Sequence, residues 1–138
     1  MSVSLTRTVR FTARHRLWRS DWPPERNRAA FRAVADPHEH EYECAVTVAG
    51  PLDGRMGMIM DLGELDRILA EEVVAPLDGK SLNDDLPIFA GGAILPTCEA
   101  LAAWLYGRIA PRLPGGVRLE RVRVREDPTL HADCTGPA

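Results

Sequence analysis

The clearest pattern in the sequence is a strict alternation of residue types near the N-terminus. Over residues 3–15 the odd-numbered positions carry Val, Leu, Val, Phe and Ala, interrupted only by Arg7, while the even-numbered positions carry Ser, Thr and Arg. A period of two predicts a β-strand with one buried face. His15 closes the series, on the side of the strand that this pattern buries.

Residues 38–48 alternate in the same way and predict a second strand. His, His, Tyr, Cys, Val and Val share one face of it, and three Glu residues lie on the other. The intervening residues 16–37 contain two adjacent prolines and no sustained period. They predict a long loop with a short helix around 25–33.

Two further strands are predicted towards the C-terminus. In residues 117–125 the apolar phase slips between Leu119 and Val122, which indicates a β-bulge. A last short strand is predicted over 129–134.

Between the two pairs of strands lie two segments with helical periodicity. Asp61 is a predicted N-cap for a helix that Pro76 should end, and Thr97 is a predicted N-cap for a helix that Pro111 should end. Residues 77–96, which contain a Gly-Gly pair, are predicted to form a loop. The apolar stripes of the two helices are Leu62, Leu65, Ile68, Leu69 and Val73, and Leu101, Trp104, Leu105 and Ile109.

The order of these elements is strand, loop, strand, two helices and two strands. This order predicts the α+β class with an antiparallel sheet. The length of 138 residues suits one domain, which we assign to residues 1–138.

Composition and charge exclude several classes of protein. With 45% hydrophobic residues the chain is neither disordered nor fibrous, and a net charge of −3 argues against a dedicated nucleic-acid binder. No apolar run approaches the roughly 20 residues of a membrane span, so no membrane partner is expected. The three cysteines, an odd number, do not suggest a disulfide framework, and a cytoplasmic location is predicted.

Three histidines suggest a metal site. His38 and His40 lie on one face of their strand, with Cβ atoms about 7 Å apart given a rise of about 3.3 Å per residue. His15 can supply a third nitrogen, and three protein ligands with an open fourth position are typical of catalytic zinc sites. The alternative is that these are packed histidines with no ion.

Glu126 is the second informative residue, because its even spacing from Val122 and Val124 continues their predicted buried face. Burial of a carboxylate is costly unless it is paired. Such a group can anchor a guanidine or a 2-amino-pyrimidinone edge through two parallel hydrogen bonds. The alternative is a glutamate at the end of a strand that turns to solvent.

The chain resembles the 6-pyruvoyl-tetrahydropterin synthase / 6-carboxytetrahydropterin synthase family. Seven segments in order are similar to motifs of this family: FTARHRL (11–17), ERNRAAF (25–31), PHEHEY (37–42), GMIMDLGELDRIL (57–69), LDGKSLN (77–83), PTCEALAAWL (96–105) and VRVRE (122–126). The resemblance implies the tunnelling fold, a four-stranded antiparallel sheet with two helices on one face. It also implies self-association through the sheets as a trimer or homohexamer, with active sites at the subunit interfaces.

The same resemblance assigns roles to individual side chains. It implies zinc ligation by His15, His38 and His40, and binding of a small-molecule substrate by Thr97, Glu99 and Glu126.

The chain also departs from the family's pattern. Val34 stands where the family has a catalytic cysteine, and Gly79 stands where it has a histidine beside Asp78. Because both proton-transfer groups are missing, other groups would have to replace them. The candidates are Asp78, His131 and Cys98. Cys98 is a thiol near a helix start, a place that can lower a thiol pKa, but its position favours a packing role.

These features together favour an enzyme. We expect a zinc-dependent carbon–oxygen lyase or cyclase that acts on a pterin-like or guanidine-bearing small molecule in a specialised biosynthetic pathway. The competing hypotheses are a non-catalytic module that binds pterin or guanidine, and a structural homo-oligomer with a vestigial site.

Overall fold

A computed structural model describes residues 1–137 of the chain. Its strands are β1 (Ser2–His15), β2 (His38–Pro51), β3 (Lys80–Ser81), β4 (Arg118–Asp127) and β5 (Leu130–Cys134). Its α-helices are α1 (Pro24–Phe31), α2 (Leu62–Leu69), α3 (Ala75–Leu77), α4 (Leu82–Asp85), α5 (Pro87–Ala90) and α6 (Cys98–Ile109). Two 3₁₀ turns, Arg32–Ala35 and Ala110–Arg112, and a π-helical turn, Ala70–Val74, extend the helices.

The strands form one mixed sheet in the order β3-β1-β2-β4-β5. The four long strands pair antiparallel, which confirms the predicted α+β class and the four-stranded antiparallel arrangement. The two-residue β3 adds a short parallel pairing at the edge of β1. In the pairing of β2 with β4, Thr47 lies opposite Arg121 and Val48 opposite Leu119, so Glu120 is the extra residue of the predicted bulge.

Helices α2 and α6 cover one face of the sheet and form the core with it. Both predicted N-caps are confirmed: a side-chain oxygen of Asp61 accepts from the Glu64 amide, and Thr97 Oγ1 accepts from the Ala100 amide, each at 3.1 Å. The largest fully buried side chains include Phe11, Tyr42, Phe89, Leu65, Leu101 and Leu105.

Arg7, the one charged residue on the apolar face of β1, lies at the rim of this core. Its guanidinium makes two hydrogen bonds to the carboxylate of Asp66 on α2, at 2.8 and 3.1 Å. Both side chains are about half exposed, so the charged ends remain in contact with water while they link strand and helix.

The predicted stop of the first long helix at Pro76 is confirmed to within one residue. The helix continues from α2 through the π-helical turn into α3 and ends at Leu77. Pro76 has no amide proton for the carbonyl of Glu72, four residues earlier. Arg108 of α6 donates to that carbonyl instead, at 3.3 Å, so the missing donor leaves no unpaired group.

The prediction that residues 77–96 form a plain loop is wrong. They contain β3, α4 and α5, and they bury Leu82, Leu86 and Phe89 in the core. These three residues have helical spacing, but α4 and α5 have only four residues each, too short for the period to stand out.

All three cysteines are free thiols, with Cys44 and Cys98 buried and Cys134 half-buried. Within residues 1–137 no helix has the length and the apolar composition needed to cross a membrane.

Candidate metal and ligand site

The pairing of β1 with β2 brings the three predicted histidines together. His15, the last residue of β1, lies directly opposite His38, the first residue of β2, while His40 lies opposite Ala13. Residues two apart on a strand point to the same face, so all three imidazoles lie on the face that the helices cover. One ligand nitrogen from each ring lies within 4.8 Å of the others.

Backbone carbonyls set the tautomers of two of these rings. His15 Nδ1 lies 2.8 Å from the carbonyl oxygen of Pro96, and His38 Nδ1 lies 2.8 Å from that of Asp36. A carbonyl oxygen can only accept a hydrogen bond, so each Nδ1 carries the proton and donates it. The lone pair is therefore on Nε2 of both rings, which is the arrangement that metal-binding histidines commonly have.

Two of the imidazole nitrogens at the site have no hydrogen-bond partner within residues 1–137. Nε2 of His15 and Nε2 of His40 are buried and make no hydrogen bond with any described residue. His40 Nε2 lies 3.1 Å from Glu126 Oε2, but the contact is not aligned as a hydrogen bond. Unpaired buried nitrogens are costly, and a metal ion would satisfy them. Three neutral imidazoles suit zinc among other transition metals, so the residues present fit the ion that the sequence suggested.

The surroundings of His15 keep its imidazole neutral. Burial lowers the pKa of His15, and the nearby His38 and His40 act in the same direction, while the hydrogen bond to Pro96 opposes them. Neutral imidazole is the form that binds metal ions. Tyr42 lies beneath the ring, with its hydroxyl 3.4 Å from His15 Nδ1, and burial raises the pKa of that phenol far above its ordinary value.

Glu126 faces the same site from β4. Its side chain is only 14% exposed, and its Oε1 accepts a hydrogen bond from the thiol of Cys98 at 3.0 Å. Cys98 is the first residue of α6, so this contact joins the sheet to the start of the helix. Glu126 Oε2 does not belong to the group of ligand atoms within 4.8 Å of one another, which argues against a direct metal ligand.

Of the two interpretations of Cys98, the structure agrees with the packing role, because the residue is buried in the core, and not with a lowered pKa. Burial raises the pKa of the thiol, and the hydrogen bond to Glu126 raises it further. Cys98 is therefore a hydrogen-bond donor at neutral pH and is not a thiolate.

Two cavities border the site. One of about 640 Å³ is lined mainly by charged residues of the sheet face that the helices leave open, such as Arg10, Glu43 and Arg125, and only His40 and Glu126 of the site also line it. His15 and Asn83 line the other, of about 260 Å³. The larger cavity is within the range that small-molecule sites occupy.

Comparison with known proteins assigns the chain to a family. The model of the 6-pyruvoyl tetrahydropterin synthase family matches residues 4–137, nearly the whole chain. The chain belongs to this family.

Its relatives agree with that assignment. The human 6-pyruvoyl tetrahydrobiopterin synthase is 36% identical over 126 residues, which are 90% of this chain and 85% of the human protein. A dihydroneopterin monophosphate aldolase from Pyrococcus furiosus is 33% identical over 89 residues, which are 64% of this chain and 69% of that protein. The structure of Caenorhabditis elegans 6-pyruvoyl tetrahydropterin synthase superposes with a TM-score of 0.91 over 99% of this chain and 97% of that one, at 23% identity.

Two of the residues expected to bind ligand lie at the start of α6. Thr97 is half-buried and follows Pro96, whose carbonyl holds His15, while its own hydroxyl oxygen caps the helix. Glu99 is exposed in the first turn of the helix. Thr97 is therefore the neighbour of a residue that binds His15, whereas Glu99 faces solvent within this one chain.

Two of the three candidate proton-transfer residues, Asp78 and His131, have no hydrogen bond or ion pair to the histidines. Asp78 is exposed at the outer edge of β1, where its Oδ1 accepts from the Thr12 amide at 2.9 Å. His131 is exposed on β5, directly opposite Arg125, on the face of the sheet that the helices leave open. One copy of the chain brings neither residue into contact with the three histidines.

The structure also places Val34 and Gly79, the two positions expected to depart from the family's pattern. Val34 lies in the 3₁₀ turn Arg32–Ala35 and is 40% exposed. Gly79 has a φ of +74° in the turn before β3, and a Cβ placed there would contact nothing within 4 Å. Space for a histidine is available at Gly79, but at a cost in backbone strain.

The sequence did not reveal the groups that orient the site. The carbonyls of Pro96 and Asp36 could not be found, because every residue has a carbonyl and only the fold selects one. Cys98 was considered for proton transfer, and its contact with Glu126 emerges only when α6 packs on β4.

Proposed function

We propose that this chain is a zinc-dependent carbon–oxygen lyase or cyclase of the 6-pyruvoyl-tetrahydropterin synthase type. It acts on a pterin-like or guanidine-bearing small molecule, in a specialised biosynthetic pathway, with proton-transfer groups that differ from the family's. The observation that carries the proposal is the convergence of His15, His38 and His40 with unpaired buried Nε2 atoms on His15 and His40. The name of the human relative at 36% identity supports pterin chemistry.

The three histidines are the proposed metal ligands, and backbone carbonyls orient two of their rings. Zinc bound there would act as a Lewis acid towards a substrate oxygen or lower the pKa of a bound water to about 7. The Pro96 and Asp36 carbonyls keep the protons of His15 and His38 on Nδ1, so both rings present Nε2 without a change of tautomer.

Glu126 anchors the ligand through its carboxylate. A carboxylate accepts about four hydrogen bonds, and the thiol of Cys98 takes one position on Oε1. The remaining positions suit the two parallel N–H groups of a 2-amino-pyrimidinone edge. Thr97 and Glu99 at the start of α6 complete the proposed set of ligand-binding residues.

Self-association would bring the proposed proton-transfer residues of one chain to the histidines of another. Asp78 and His131, the proposed proton-transfer residues, lie at opposite edges of the sheet, on the edge of β1 and on β5. In a trimer or hexamer joined through the sheets, these edges approach the histidines of a neighbouring copy. A mixture of the variants His38→Ala and Asp78→Asn, refolded together, should then regain up to a quarter of the wild-type activity, because some sites combine the intact halves.

The direct test measures zinc content and turnover on one preparation. We expect one zinc per chain, and release of inorganic phosphate from dihydroneopterin monophosphate, the cleavage expected of a carbon–oxygen lyase, that is lost on chelation and returns with zinc. His38→Ala should abolish both metal and activity. Full turnover by metal-free protein would contradict the proposal.

A non-catalytic pterin-binding module is the second candidate, and Val34 and Gly79 favour it, since neither can transfer a proton. It predicts that neopterin binds, that Glu126→Gln weakens this binding, and that no pterin in a panel is turned over.

A further inference from the structure

Glu126 lies at an irregularity of β4, where the pairing of β4 with β5 shifts its register. Arg125 pairs with Glu43 of β2 and with His131 of β5, and Asp127 pairs with Leu130, but Glu126 belongs to neither register. A residue left out of the ladder at such a point can be directed by its side-chain contacts.

Glu126 has two such contacts among the described residues. Oε1 accepts from the Cys98 thiol at 3.0 Å, and Oε2 lies 3.1 Å from Nε2 of His40. The second contact is not aligned as a hydrogen bond, and it involves His40 Nε2, an unpaired buried nitrogen that we assign to the metal. With that nitrogen committed to the metal, the thiol is the contact that remains to orient the carboxylate.

We propose that Cys98 is a positioning residue, which holds the Glu126 carboxylate in the orientation that receives the donor edge of the ligand. This inference rests on the proposed ligand-binding role of Glu126. Cys98 does not touch the ligand or the reacting atoms itself.

The surroundings of Cys98 suit this role. Its side chain is 2% exposed, and it is the first residue of α6, whose N-cap and apolar stripe anchor it to the core. Burial and the neighbouring carboxylate keep the thiol protonated, so it donates its hydrogen bond throughout the neutral range. Cys44, by contrast, is equally buried on β2 and makes no side-chain hydrogen bond with the described residues, so it is a matched control.

The test compares Cys98→Ala, Cys98→Ser and Cys44→Ala in full-length, zinc-loaded protein, with fluorescent neopterin as the probe. Cys98→Ala should weaken neopterin binding about tenfold, since a hydrogen bond to a charged group is lost. Cys98→Ser keeps a donor and should bind within about threefold of wild type, and Cys44→Ala should bind like wild type. Zinc content and melting temperature are measured on each variant. Wild-type affinity in folded, zinc-loaded Cys98→Ala would overturn the proposal, as would an equal loss in Cys98→Ser.

A second measurement needs neither ligand nor metal. The infrared S–H stretching band of Cys98, assigned by its absence from Cys98→Ser, should be shifted by the bond to the carboxylate and should move in Glu126→Gln. A band at the position of an unbonded thiol, or one that Glu126→Gln leaves in place, would overturn the positioning role. If wild-type protein fails to bind neopterin while the band shifts as expected, the proposed function fails and the Cys98–Glu126 contact stands.

Discussion

His15 donates a hydrogen bond from Nδ1 to the carbonyl oxygen of Pro96 at 2.8 Å. Pro96 comes just before Thr97, the N-cap of α6, so this contact joins the end of β1 to the start of the main helix. It also directs Nε2 of the same ring towards His38 and His40. The same contact therefore links α6 to the sheet and orients a ligand of the proposed metal site.

The first prediction concerns metal content. His38→Ala should reduce bound zinc from about one per chain to less than a tenth, because two imidazoles bind zinc far more weakly than three. Mass spectrometry of the metal after dialysis checks this. His131→Ala removes an exposed histidine from the opposite face of the sheet and should retain the metal. Equal zinc in both variants would contradict the site.

The second prediction concerns Arg32, whose φ of +54° is a conformation that side-chain-bearing residues rarely adopt. Arg32 is exposed at the end of α1, so little is lost when its side chain is removed. Arg32→Gly should raise the free energy of unfolding by about 1 kcal/mol, because glycine relieves the backbone strain. Denaturant unfolding measures this.

The control for Arg32 is another exposed position in the same helix. Ala29 lies inside α1, where glycine is unfavourable, so Ala29→Gly should lower the free energy of unfolding by about 1 kcal/mol. Effects of the same sign in Arg32→Gly and Ala29→Gly would show that Arg32 is not strained.

The third prediction is a loss of stability at alkaline pH. Burial raises the pKa of Cys44 from 9.0 to about 12, so between these values the unfolded chain loses a proton that the folded chain keeps. Since the unfolded state then binds fewer protons, the free energy of unfolding falls as pH rises. Burial of Tyr42 and Cys98 acts in the same direction.

The slope of stability against pH isolates the thiol. Between pH 9.5 and 11, Cys44→Ala should show a slope shallower by about 1.4 kcal/mol per pH unit, the contribution of one proton. Val46→Ala opens a cavity on the same buried face of β2 without removing a titrating group, so it should keep the wild-type slope. Parallel curves for wild type and Cys44→Ala would refute this account.

The fourth prediction concerns Val34 and Gly79, the two positions where the resemblance to the family leads us to expect proton-transfer residues. Val34→Cys combined with Gly79→His should raise turnover of dihydroneopterin monophosphate at least tenfold, because each general acid or base is worth about 10² to 10⁴ in rate. The positive φ of Gly79 means that the histidine should cost about 1 kcal/mol in stability.

The matched control for this double variant is Val34→Ala with Gly79→Ala, which makes similar changes without adding a proton-transfer group. It should show the loss of stability and no gain in rate. A folded, zinc-loaded double variant with no gain in turnover would contradict the role in proton transfer that we assign to these two positions.

The elements that could be predicted are those with strong local signals. β1 and β2 alternate over more than ten residues, and Asp61 and Thr97 carry the side-chain oxygens that helix starts require. The phase slip between Leu119 and Val122 was enough to locate the bulge. The segment 77–96 was missed because its helical turns are held by the core contacts of Leu82 and Phe89, which are tertiary.

The four long strands, the two N-caps, the shared face of His15, His38 and His40, and the family can all be predicted from the amino-acid sequence. The carbonyls that bind His15 and His38, the contact of Cys98 with Glu126, and the positions of Asp78 and His131 are known only from the packed fold. The physical reason is the distance in sequence over which each interaction acts. Alternation and capping act over a few neighbouring residues, whereas these contacts join atoms far apart in the sequence, such as those of His15 and Pro96, and arise only when sheet and helix pack together.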